Sequence, residues 1–307
     1  MTQIRNRFSL SKTAGWIALG FLLLIIFTVL KFPERKIKLL IQNQIIEQAA
    51  AQGIQLSYSD SEIDLIPIPR YTLIDASIGS RTQNLDLHFD RLEIEPQILN
   101  IILQKPSAHI QFSEKTSKGA VAFAIASDTF EINANLEELR LKDVPLQNLA
   151  QGIQLDGTLS GKVDLKGNLR DYTSMTGQIN LALKQIVLPS QSIMGFPVPE
   201  IHASEGKIAL QVQNSKATIS TFRLGKRAGG TNELYLEAVG EIKLARSLFA
   251  STAQLKTKFK PPEVLLEQMP YIRPMIEAAK TPDGSFGFEV TGPISFPRPT
   301  PNPNIRL

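Results

Sequence analysis
Residues 157–169 read GTLSGKVDLKGNL, and Gly157, Gly161 and Lys162 stand close to the pattern in which backbone amides and a lysine cradle a nucleotide's phosphates. Such a loop needs four residues between its glycines, then Gly-Lys and a hydroxyl to hold magnesium. Here three residues separate the glycines, and Val163 stands where the hydroxyl should be. The VDLKG that follows alternates like a strand, whereas a phosphate loop opens a helix. The stretch therefore reads as a strand, with Leu159, Val163 and Leu165 on an apolar side and Lys162, Asp164 and Lys166 facing water. Its glycines read as strand starts and turns.

The other reactive side chains are no better placed. The chain has no cysteine, which removes thiolate nucleophiles, disulfides and cysteine-type zinc sites together. His88, His109 and His202 fall on the polar or edge phase of strand-like segments, and none has a histidine or carboxylate at ligand spacing in the sequence. No G-x-S-x-G elbow offers a serine nucleophile. Asp60, Glu62 and Asp64 sit in turn or strand-start sequence and read as solvated acids. The expectation is a protein that is not an enzyme, with no catalytic residue, cofactor or metal.

Charge separates the chain into two parts. Residues 1–38 hold seven basic side chains against Glu34 alone, a net +6 within a total of +4, so residues 39–307 sum to −2. The body offers no basic face, so nucleic acid is not an expected partner. Residues 13–30, TAGWIALGFLLLIIFTVL, are uncharged and span about 27 Å as a helix, enough for the hydrocarbon layer. No small-x-small cleavage site follows, so an uncleaved single-pass anchor is expected. Its basic flanks, three residues before and four after, are too even to orient it. Residues 31–53 then read as an amphipathic connecting helix, opened by Pro33 and closed by Gly53, with Ile37, Leu40, Ile41, Ile45 and Ala49 on one stripe.

From residue 54 to 296 the dominant period is two. Leu85, Leu87 and Phe89 alternate with polar residues, as do Val121, Phe123 and Ile125, then Ile179, Leu181 and Leu183, then Ile208, Leu210 and Val212. Similar segments lie at 233–238, 253–259 and 284–292, with turn residues at 59–61, 227–230 and 281–284. This pattern predicts a mainly β, mostly antiparallel sheet with one apolar and one wet face. Short helical breaks are expected at 143–152 and 261–280, the second split at Pro270 and Pro274. Residues 297–307 hold four of the prolines in FPRPTPNPNIRL and read as an extended, unpacked tail. Gly-led alternating units recur without a fixed period, so the sheet is built from similar hairpins and is not a solenoid.

Three stretches carry a family resemblance. QGIQLSYSDSEIDLIPIPRYTLIDASIG at 52–79 resembles the opening of AsmA-like proteins: a glycine-terminated helix, a strand, and an apolar-x-Pro-x-Pro turn. VPLQNLAQGIQLDGTLSGKVDLKGNL at 144–169 resembles the mid-chain element of the type II secretion system protein N (GspN) family, and DGSFGFEVTGPISFPRP at 283–299 resembles its close. The resemblance implies an inner-membrane protein of a diderm bacterium, with residues 1–12 cytoplasmic and an elongated, curved β domain in the periplasm. It implies a role in protein transport by type II secretion, with other secretion components as partners. AsmA-like relatives imply an alternative: lipid binding or transfer in a hydrophobic β groove, with phospholipid as partner. The twelve apolar residues named above, Leu85 through Val212, are then the candidate lipid-facing set. A one-sided apolar sheet must cover that side by folding on itself or by holding a ligand.

Overall fold
The computed structural model describes residues 47, 50 and 54–307, except 65–68, 81–84, 98–99, 101–106, 127, 144–152, 194–195, 228–229 and 231. The expected anchor at 13–30 lies outside the described residues, as does all of the expected connecting helix except Glu47 and Ala50, which are helical, and nearly all of the expected break at 143–152. Among the described residues no helix is long and apolar enough to cross a membrane.

The period-two reading translates into strands throughout. They are β1 (Ile54–Ser57), β2 (Asp60–Asp64), β3 (Arg70–Ser80), β4 (Leu85–Pro96), β5 (Ser107–Glu114), β6 (Ser117–Ala126) and β7 (Thr129–Arg140). There follow β8 (Asp156–Asn168), β9 (Asp171–Leu188), β10 (Gln191–Ile193), β11 (Phe196–Val198), β12 (Ile201–Gln213) and β13 (Lys216–Leu224). The last are β14 (Tyr235–Lys243), β15 (Thr252–Lys260), β16 (Phe286–Pro293) and β17 (Arg298–Pro301). Fifteen of them form one antiparallel sheet in sequence order, with β10 and β11 making a separate hairpin. Among the described residues the path does not close: β1 pairs only with β3, and β17 only with β16. The 261–280 break is helical, as expected, in two pieces, α1 (Glu263–Gln268) and α2 (Ile272–Ile276). Pro270 lies between them, while Pro274 sits inside α2.

Register aligns the apolar residues across the whole sheet. Starting from β2, Ile63 lies opposite Tyr71, Tyr71 opposite Ile94, Ile94 opposite Ile110, and Ile110 opposite Val121. The same row continues through Ala134, Val163, Ile179 and Leu210. It then passes Ile219, Gly240, Leu255 and Val290 to end at Pro299 on β17. At about 4.8 Å per strand, this unbroken apolar rung runs roughly 60 Å along the sheet.

Strict alternation would not have kept these strands in phase, because several are kinked. Asp75, Glu138 and Gln185 adopt left-handed φ angles of 55°, 51° and 52° inside β3, β7 and β9. At Glu138 two residues of β7 face one of β8, so Leu136 and Leu139 both lie opposite apolar-phase partners, Gly161 and Leu159. Serines pin this bulge: Ser160 Oγ accepts from Glu138 N at 3.0 Å, and buried Ser117 Oγ donates to Glu138 O at 3.1 Å. The kink at Asp75 likewise leaves Phe89 and Leu92 on one side. Leu92 lies opposite Phe112, and the Phe89 and Phe112 rings meet with centroids 5.4 Å apart.

The proline-rich end is packed, against the expectation of a free tail. Arg298–Pro301 pairs with β16, Asn302 N donates to Gly287 O at 2.8 Å, and Ile305 is buried. The ladder uses the amides of Arg298, Thr300 and Asn302, so Pro299 and Pro301 turn their donor-free nitrogens outward on the sheet edge.

A polar clasp fastens the segment before β16. Asp283 Oδ1 accepts from Ser285 Oγ and Thr281 Oγ1, both at 2.5 Å, and from Ser285 N at 3.1 Å. Its Oδ2 accepts from Lys258 Nζ at 3.0 Å and from Arg227. The Ser285 hydroxyl first, then the Thr281 hydroxyl, hold its carboxyl well below the usual carboxylate range against the opposing effect of burial. A depressed folded pKa adds stability above the unfolded value of about 3.9, and that stability is lost as pH falls toward the folded pKa. Asp283→Ala is therefore expected to lower unfolding stability by about 1–2 kcal/mol at pH 7. The gap to the parent should narrow below about pH 4. Urea melts across that range would show a constant gap if the clasp were inert.

Candidate functional site
Apart from Leu85, of which only the backbone pairing is described, the residues singled out for lipid contact share one side of the sheet. Ile179 lies opposite Val163 and Leu210; Leu181 opposite Gly161 and Ile208; Leu183 opposite Leu159 and Gly206. Val212 faces Gly177 and Ala217, and Val121, Phe123 and Ile125 lie opposite Ala134, Ile132 and Phe130. Leu87 and Phe89 pair with Ile78 and Ala76, and Leu85 opens the same strand opposite Ser80. The ladder of β5 reaches β4 only from Arg91 onward, so the 85–89 trio lies beyond it.

Their burial differs from that of a core. Val212 is 2% exposed, but most of the others are only half-buried, and Ile125 is 40% exposed. Two compact apolar clusters do form. Leu141, Ile186 and Ala203 gather Leu159 and Leu183 around one, and Val212, Ala217 and Leu244 gather Leu165 and Leu210 around the other. Between them the rows stand without a second layer among the described residues, whose packing partners are chiefly the strands on either side.

Glycines keep part of this face flat. Gly119 lies beneath the Phe112 ring, so close that a Cβ there would meet Phe112 Cζ at 2.2 Å. Gly161 and Gly177, one on each strand of the β8–β9 pair, have φ angles of 144° and 140° that disfavour any side chain. Gly161 is thus a mid-strand residue and not the turn that its sequence suggested.

The opposite side is polar and carries the titratable groups. All three histidines are partly exposed, as expected, and each has a carboxylate neighbour. For His88 and His109 the nearest one lies across the strand pair, where sequence spacing could not reveal it. For His202 it is Glu200, two residues away in the chain. His202 Nε2 is 2.7 Å from Glu200, and His109 Nδ1 is 3.8 Å from Glu95. His88 Nε2 is 3.3 Å from Asp75, while its Nδ1 meets Ser77 Oγ at 3.1 Å. This Ser-His-Asp chain stands in solvent, with His88 46% and Asp75 60% exposed, and no cavity holds a substrate beside it among those described. In high dielectric such contacts contribute little. A cavity of about 620 Å³ lies between Arg140, Asp156, His202 and Glu233. Burial pushes the Glu233 carboxyl up, but donors from Ser204 N, Ser204 Oγ and Lys226 N outweigh it and hold the group low. Those bonds, all accepted by Oε1, tie the loop before β14 to β12. Among the described residues no group of histidines and acids could hold a metal ion.

No family model, curated protein or solved structure matches this chain. What it can do must follow from the face itself. A half-exposed apolar surface suits a ligand that is long, flexible and apolar. Burying each methylene of such a ligand is worth about 0.8 kcal/mol.

Proposed function
We propose that the chain is a lipid-binding protein that holds acyl chains on the apolar face of an open, AsmA-like sheet. One observation carries this reading: an apolar row continuous from Ile63 to Pro299 that is only half-covered. A secretion scaffold, the other expectation from the same resemblance, calls for a closed sheet filled by its own side chains. The open strand path favours the trough. A membrane anchor at 13–30 would keep that trough beside its lipid source.

The test places a photoreactive benzoyl-phenylalanine at Ile179, on the apolar face, or at Asn180, on the polar one. The full chain is irradiated in its membrane and examined by mass spectrometry. Diacyl-lipid adducts at 179 and few at 180 are expected. Equal yields at both positions, or none at either, would overturn the reading.

A further inference from the structure
An in-order meander returns every second turn to the same end of the sheet. The turns β6–β7, β8–β9, β12–β13, β14–β15 and β16–β17 therefore share one end, and backbone bonds join them into a continuous rim. Leu169 N donates to Asp128 O at 2.7 Å, Tyr172 N to Arg246 O at 3.4 Å, Leu244 N to Ser215 O at 2.8 Å, and Ile294 N to Ser251 O at 2.9 Å.

Two properties single out this end. Six of the nine large apolar side chains that stand exposed among the described residues lie on it: Ile125, Leu169, Leu248, Phe249, Ile294 and Phe296. Phe249 and Phe296 are 72% and 70% exposed. The same turns also carry Arg170, Lys216, Lys243, Arg246 and Arg298 against Asp128 and Asp171, a net +3 on a body that sums to −2. Arg170 and Lys216 have ion-pair partners in Asp128 and Glu241, while Lys243 and Arg298 form no ion pair among the described residues.

We propose that this rim docks on the surface of an anionic phospholipid bilayer. Apolar tips spaced along a line and interleaved with cations match the boundary between acyl chains and headgroups, where such side chains gain by both terms. A protein partner would be met better by one continuous apolar patch. The apolar rows reach the rim at Ile125, so a lipid could pass from bilayer to sheet without crossing the polar side. The inference deepens the acyl-chain reading and rests on it for its purpose, but its geometry is independent.

The absence of native cysteine allows single labels. The full chain, carrying Ser247→Cys or Ser295→Cys at the rim, or Ser190→Cys at the other end, is tagged with a fluorophore. It is reconstituted into phosphatidylcholine vesicles with or without phosphatidylglycerol, containing nitroxide-labelled lipid. Quenching at 247 and 295 should exceed that at 190 by about threefold or more when phosphatidylglycerol is present. It should weaken as salt rises from 0.1 to 1 M and the screening length falls from about 10 to 3 Å. Adding Phe249→Ser with Phe296→Ser should abolish the difference while leaving the circular dichroism melt unchanged. Equal quenching at both ends overturns the proposal, as does pyrene excimer emission at 247, which would assign the rim to a second copy. Rim quenching without lipid adducts at Ile179 would sink the acyl-chain reading alone. Adducts without rim quenching would sink the rim alone.

Discussion

Gly177→Val should destabilise the centre of the sheet by about 3–5 kcal/mol, adding backbone strain to overpacking. Gly177 sits in β9 at φ 140°, and a Cβ built there would lie 2.0 Å from Asp164 O on β8. The obstruction is backbone, so no rotamer relieves it. Valine would have to push β8 and β9 apart at the point where Gly177 also lies opposite buried Val212 of β12. Gly161→Val should behave alike, since its Cβ would meet Asn180 O at 2.1 Å. Gly230→Ala is the matched control, because nothing lies within 4 Å of its Cβ position. Urea denaturation of the purified variants measures all three. A Gly177→Val protein as stable as the parent would mean that the β8–β9 pairing is wrong.

The second large effect separates binding from folding. Leu181→Asp places a carboxylate on the apolar face between Gly161 and Ile208. On an open trough the aspartate reaches water, so the stability loss should stay within about 1–2 kcal/mol. A bound acyl chain would have to leave that carboxylate desolvated, and lipid adduct formation at Ile179 should fall about tenfold or more. In a closed, filled core the same substitution buries an unpaired charge and should cost more than about 3 kcal/mol. Melting the variant therefore distinguishes trough from core even before any lipid is measured. A severe loss of stability would remove the trough.

Much of the sheet was legible because one face is apolar and period two is a direct signature of that. The segments at 85–90, 120–126, 177–183 and 206–212 each lie in a strand, and the apolar triplets of the last three align in register. What escaped was whatever depends on a neighbouring strand. Asp75, Glu138 and Gln185 are ordinary polar residues in sequence, and only pairing makes each a left-handed kink. The three-residue steps from Leu73 to Ala76 and from Leu136 to Leu139 look like breaks in alternation, yet they keep the face continuous. The approach of His88 to Asp75 and Ser77 was equally invisible, because β3 and β4 bring together residues 11 to 13 positions apart. The prolines near the end suggested an unpacked tail, where alternate prolines instead suit an edge strand that needs donors on one side only. The exposed rim was missed for a simpler reason: its apolar residues are scattered singly among turns, and topology alone gathers them.

The strand order carries a consequence for how the molecule is made. Apart from β2 and the small β10–β11 hairpin, each strand of the sheet is laid against the one completed just before it. Contacts of this kind are close in sequence, so loop-closure entropy stays small and assembly can advance like a zipper. A chain threaded N-terminus first could add strands as they emerge, without waiting for its far end. Growth stops where Pro299 and Pro301 offer the next strand no donor.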